Sequence, residues 1–255
     1  MKDKKNRFLF ILLLVGTAPM LSWHSPQKPF ADPNLQNPHI INESRPAFPS
    51  YEETIASPDG PVYIVNNPDS LLVLVNKERR LPDFYIPEDL RIPKVRFSFD
   101  GDQEKMKMRK EAAGAMENLF KAAEKQNIHL FVVSAFRSYE RQKVLNSMYK
   151  RTEGEAAAAA SSAVPGTSEH QTGLAADVSS ASINFQIHER FAETKEGKWL
   201  AAHAHEYGFV VRYPKYKSEV TGYTYEPWHI RYVGQAPAAY LYGHHLTLEE
   251  VMPKK

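Results

Sequence analysis

Cysteine is absent from the 255-residue chain. That excludes disulfides, thiolate metal ligands and a cysteine nucleophile, so any metal must be held by His, Asp or Glu. It also removes the residue that carries a lipoprotein anchor. A charge excess is absent as well: 32 Lys and Arg against 30 Asp and Glu leave a net charge of +2. No basic stripe with interleaved aromatics occurs, so no nucleic-acid partner is expected. There is no Gly-rich phosphate loop. Long apolar runs are missing everywhere except the first 23 residues.

In that segment Lys2, Lys4, Lys5 and Arg7, against Asp3, precede the apolar run Phe8 to Val15. A basic start followed by a short apolar run matches a secretory signal. The apolar stretch to Trp23 is short for a spanning helix, which needs about 20 residues. "GTAPMLS" offers no clean small-x-small cleavage site, so residues 1–23 are expected to be a signal peptide or an N-terminal membrane anchor. Export to the cell wall or the outer face of the cytoplasmic membrane is the corresponding expectation. Eight of the 18 prolines fall between Pro26 and Pro61. Residues 24–61 therefore read as an extended linker, leaving 62–252 as a catalytic domain.

Within that domain Leu71 to Val75 reads as a strand or a short buried segment. Residues 103–126 carry a helical pattern, with Met108, Ala112, Ala115, Leu119 and Ala123 inward and Asp102 as N-cap. Residues 129–136, "HLFVVSAF", read as a central strand. Ser138 is placed to cap a second helix with Val144, Leu145 and Met148 inward. "LAADVS", "FVVRYP" and "WHIRYV" read as further strands. "KEGKWLAAHAHEYG" reads as a helix closed by Gly208 in the left-handed cap position. Strands and helices mix without regular alternation, which predicts an α+β fold: a central, mainly antiparallel sheet flanked by helices.

Two short segments carry chemistry. In "SEHQTGLAADV", His170 and Asp177 are seven residues apart, too far for one helical face. A turn feeding a strand would bring both side chains to a common point, with Gly173, Ala175 and Ala176 leaving room for tight packing. In "GYTYEPWHIRYVG", Glu226 lies three residues before His229, and Pro227 argues against a mid-helix position. His229 is a candidate to complete a ligand set with His170 and Asp177. Two imidazoles and a carboxylate suit zinc with one position left for water, whose pKa zinc lowers towards about 7. A carboxylate off the metal, such as Glu226, then has a proton to take and pass on. Trp228 and Tyr225 read as core packing, and His203, His205, His244 and His245 as structural or exposed.

"SAFRSYERQ", "PGTSEHQTGLAADV" and "TGYTYEPWHIRYVG" occur in this order, behind "LVNKERRLPDFYIPEDL". Together they resemble the VanY-type D-alanyl-D-alanine carboxypeptidases, zinc peptidases of the group that includes lysostaphin-like enzymes and the hedgehog amino-terminal domain. The resemblance spans roughly residues 70–250. It implies one zinc ion per chain on His170, Asp177 and His229, with Glu226 as catalytic base. It assigns Arg137 to the oxyanion or the substrate carboxylate, and Gln142 and Ser168 to substrate binding. Where the family reads Ser-Gly-Tyr-Arg-Ser, this chain has Ala135 and Phe136, so a tyrosine hydroxyl contact is lost. The implied substrate is a peptidoglycan stem peptide losing its C-terminal D-alanine, and a monomer is expected. The alternatives are an L,D-carboxypeptidase on tetrapeptide stems, a peptidoglycan endopeptidase, or a zinc-stabilised wall-binding module without catalysis.

Overall fold

Four short β-rich segments, largely buried on both faces, build the sheet that organises the molecule. The computed structural model describes residues 45–101, 103–155 and 163–254. The two- and three-stranded peripheral sheets use β1 (Ile55–Asp59), β2 (Val62–Val65), β3 (Arg79–Arg80), β4 (Leu90–Arg91) and β5 (Met108–Arg109). The main sheet uses β6 (Phe131–Ser134), β7 (Ala175–Ser179), β8 (Phe209–Tyr213) and β9 (Glu226–Tyr232), in the order β6-β7-β9-β8 with every pair antiparallel. The α+β expectation holds. Residues 129–136, however, supply an edge strand and not a central one. The outer edge of β6 is covered by a short parallel bridge: Val132 N–H donates to Arg96 O, and Ser98 N–H to Val132 O. Such cover blunts an open edge.

Side chains alternate across a strand. Val132, Ala176, Val178, Ile230 and Phe209 all fall in one apolar cluster. Helix α1 (Lys110–Lys125) closes that cluster with Ala112, Met116, Leu119, Phe120 and Ala123. Burying each of the larger side chains is worth about 1.5–3 kcal/mol. The helix starts later than the sequence pattern predicts, because Met108 and Arg109 first pair as β5 with β4. Asp102, the expected cap, lies outside the described residues.

Helix α2 (Tyr139–Glu153) is capped by Ser138, whose Oγ accepts from Arg141 N–H at 3.4 Å. Its inward face matches the prediction at Leu145, which is half-buried and lines a cavity, and departs from it at the other two positions. Val144 is 58% exposed and Met148 40%, whereas Gln142 and Asn146 are buried. Both amides donate to Ala163 O, at 2.7 and 3.3 Å. This half-buried carbonyl takes donors that Val144 and Met148 do not have.

Leu71–Val75 is a buried, irregular segment and not a strand. Arginine side chains stand in for a strand partner: Arg231 donates to Leu71 O and Val73 O, and Arg79 to Leu74 O. The predicted downstream helix appears as α3 (Lys195–His203), continued by a 3-10 turn to Gly208 at φ +81°. The boundary drawn at residue 61 also shifts. Residues 45–61 are folded: β1 pairs with β2, and Tyr51 is buried in a second apolar cluster with Leu74, Val233, Leu241 and Leu248. Prolines tolerate this because β1 is an edge strand. The segment 1–23 and the rest of the expected linker lie outside the described residues. Among the described residues no helix is long and apolar enough to cross a membrane.

Candidate active site

Asp177 on β7 and His229 on β9 are directly opposed cross-strand partners. Both point away from the apolar cluster. His170 sits in a 3-10 turn, Glu169–Thr172, which ends at Gly173 with φ +69°. A Cβ at Gly173 would come within 2.9 Å of Leu90 and 3.0 Å of Arg109. A larger residue would therefore push the turn, and His170 with it, off the sheet. The turn brings His170 Nε2 to 3.2 Å from Asp177 Oδ2, while His229 Nδ1 is 3.0 Å from Asp177 Oδ1. One donor atom from each of the three residues lies within 4.8 Å of the others. All three side chains are buried.

The far nitrogens of both imidazoles are anchored. His170 Nδ1 is 2.6 Å from Ala135 O, and His229 Nε2 is 3.4 Å from Glu169 Oε2. With a cation bound, each anchor would hold the ring proton on the outer nitrogen and leave the inner nitrogen to the metal. Outer partners of this kind fix ligating histidines in metal sites. Burial holds His170 below its usual pKa, so it stays neutral, although Asp177 works the other way. Burial opposes ionisation of Asp177, yet His170 and His229 hold it well below the usual carboxylate range. Burial also opposes protonation of His229, but hydrogen bonds to Asp177 and Glu169 raise it to about 9. A cation on the three ligands would reverse that last shift. A set of two imidazoles and one carboxylate with an open side suits zinc.

Glu226 opens β9 and faces the same point, with Oε2 3.9 Å from His229 Nδ1. Burial lifts it to about 7, helped by Asp177 and Glu169 and opposed by His229 and Arg137. Arg137 follows β6 and is tied to the ligand turn by its own N–H donating to His170 O. Its guanidinium donates to Gln142 Oε1 at 2.9 Å and to Ser134 Oγ at 3.3 Å. Gln142 is therefore engaged at both ends, by Arg137 and by Ala163 O, and orients the arginine. A cavity of about 680 Å³ collects Arg137, Gln142, Ser168, His170, Asp177, Glu226 and His229. Its size suits several residues of a peptide. Trp228 packs against the apolar cluster as predicted, and it also reaches the cavity wall. His203, His205 and His244 make contacts of their own elsewhere: His203 with Glu206, His205 stacked on Tyr242, His244 on Tyr240.

One functional element escaped sequence reasoning. Glu169 is fully buried and accepts from Arg212 Nε at 2.7 Å and Arg231 Nη1 at 2.6 Å. Burial works against its charge, but the two guanidiniums and His229 hold it well below the usual carboxylate range. A signal was present: Arg231 lies two residues beyond His229 in a predicted strand, so it shares the ligand's face.

Comparison with known proteins agrees with this arrangement. The family model described as VanY, D-alanyl-D-alanine carboxypeptidase, matches residues 105–235. YodJ of Bacillus subtilis, a candidate carboxypeptidase, is 46% identical over 221 residues, covering 87% of this chain and 79% of YodJ. The solved structure of the LD-carboxypeptidase LdcB superposes with a TM-score of 0.75 at 47% identity, over 79% of this chain and 94% of that one. The D,D-pentapeptidase VanY of a VanB-type resistance cassette, solved as a mutant in complex with Zn(II), gives 0.58 at 32% identity, over 71% and 98%. With the ligand turn, the opposed strands and the matched stretch in agreement, this chain belongs to the VanY family of D-alanyl-D-alanine carboxypeptidases.

Proposed function

We propose that the protein is a zinc-dependent carboxypeptidase that removes the terminal D-alanine from peptidoglycan stem peptides. The observation that carries this is the convergence of His170, Asp177 and His229 beside Glu226 and Arg137 in one cavity. A zinc ion held by the three ligands supplies a Lewis acid and an activated water at neutral pH. Glu226 takes the proton from the attacking water and returns it to the departing amine; a carboxyl near 7 serves both directions. Arg137 donates hydrogen bonds to the substrate carboxylate or to the developing oxyanion. Gln142 holds that guanidinium in place, and Ser168 offers an uncharged contact at the wall.

Two specificities share this machinery. The greater likeness to the LD-carboxypeptidase LdcB, at 47% identity against 32% for the D,D-pentapeptidase, supports cleavage of tetrapeptide stems by L,D activity. The D,D reading on pentapeptides draws its support from the family itself. Purified protein should be incubated with matched tetrapeptide and pentapeptide stems, with and without a chelator, and the products weighed by mass spectrometry. L,D activity converts tetrapeptide to tripeptide; D,D activity converts pentapeptide to tetrapeptide. Undiminished hydrolysis in the chelator would overturn the zinc mechanism. Such a substrate lies outside the cytoplasmic membrane, which agrees with export through residues 1–23. Tracking the full-length chain in fractionated cells tests that.

A further inference from the structure

The matched family stretch ends at residue 235, yet the support of the ligand His229 runs on past it. His229 Nε2 rests on Glu169, and Glu169 on Arg212 and Arg231. Arg212 in turn grips Glu249 through two parallel bonds, Nη1 to Oε2 at 2.9 Å and Nη2 to Oε1 at 2.6 Å. Glu249 belongs to the short C-terminal helix α4 (Leu248–Val251), whose Leu248 and Val251 sit in the second apolar cluster with Tyr51 and Leu74. Asn76, also outside the matched stretch, donates to Glu249 Oε1 at 3.2 Å.

We propose that Glu249 is a positioning residue for the metal site, acting on His229 through Arg212 and Glu169. Two physical effects carry this. The first is geometric. Bidentate Arg–carboxylate pairing fixes the plane of the guanidinium. The plane of Arg212 sets where Glu169 Oε1 lies, and the other oxygen of Glu169 fixes the ring of His229. The second is electrostatic. Glu249, Arg212, Glu169 and Arg231 alternate in sign and sum to zero. Without Glu249 the buried group keeps one net positive charge beside a ligand that must accept a dication. Little solvent is available to screen it, since Arg212 and Glu169 are 1% and 0% exposed. Loss of Glu249 therefore weakens metal binding while every ligand remains in place. The inference rests on the ligand set proposed above.

The test is zinc affinity of the full-length chain, by competition with a chromophoric chelator, in wild type and Glu249→Gln. Visible spectra of the cobalt-loaded proteins are recorded alongside. The expected result is about tenfold weaker zinc binding and shifted cobalt bands. Lys217→Met is the control. It breaks the other ion pair of the same helix, Lys217 Nζ to Glu250 Oε1 at 2.6 Å, and should lower the melting temperature without moving affinity or spectrum. Unchanged affinity and spectrum in Glu249→Gln overturn the proposal, as does an equal loss in Lys217→Met. If Glu249→Gln does not fold, Arg212→Lys gives the same readings. If neither folds, the pairs are structural and the proposal falls. A wild-type chain that binds no zinc would instead overturn the ligand set itself.

Discussion

His229 and Ile230 are neighbours on β9, and they leave the sheet in opposite directions. Ile230 enters a cluster of Val132, Ala176, Val178 and Phe209 under helix α1. His229 enters a set of charges: Asp177, Glu169, Arg212, Arg231 and Glu226. The apolar face gains free energy from area alone, and any side chain of similar volume contributes. The charged face gives up hydration for every ion and holds only as a complete set. Stability and chemistry are thus assigned to alternate residues of the same strand, and single substitutions should separate them.

The widest separation comes from the ligand itself. His229→Ala should leave the purified protein without bound zinc and reduce D-alanine release to background, read by metal analysis and product assay. It also strips Glu169 of one partner, so some loss of melting temperature accompanies it. Glu226→Gln should lower turnover by about 10²–10⁴-fold while zinc content and melting temperature stay at wild-type values. Ile230→Ala should do the converse. Removal of a buried isoleucine costs about 2–5 kcal/mol in denaturant titrations, with turnover per folded molecule nearly unchanged. If Ile230→Ala slows turnover as deeply as Glu226→Gln, the separation of the two faces is broken.

The smallest effect is on acid stability. Glu169 and Glu249 are held below their usual pKa in the folded chain. The unfolded chain then binds more protons, so this contribution is present above the ordinary carboxylate value of about 4.3 and fades as pH falls through the depressed folded values. Unfolding monitored from pH 6 to pH 2 should show a shallower acid slope in Glu249→Gln than in wild type. An identical slope would mean that this carboxylate does not couple to folding.

The strands and the candidate ligands were legible in the sequence because both show in short local segments. β7, β8 and β9 stand out as short β-rich apolar runs, and His170, Asp177 and His229 read as one set from the resemblance carried by several ordered motifs. The supports of the site were not, because they pair across large separations. Arg212 reaches Glu169 over 43 positions and Arg231 reaches it over 62. The same cause explains one misreading and decides one open choice. Leu71–Val75 carries strand composition, but its carbonyls are taken by distant arginine side chains, which makes it the short buried segment of the two readings. Helix α2 turns Gln142 and Asn146 inward, where both donate to Ala163 O, a partner no window on the helix itself reveals.

The direct opposition of Asp177 and His229 also bears on assembly. A slip of one position between β7 and β9 would set Ile230 or Val178 where a ligand belongs and push the ligand into hydrocarbon. In a sheet misaligned in this way the three donor groups would no longer face one point, so the pairing of β7 with β9 is itself a condition for the proposed ligand set.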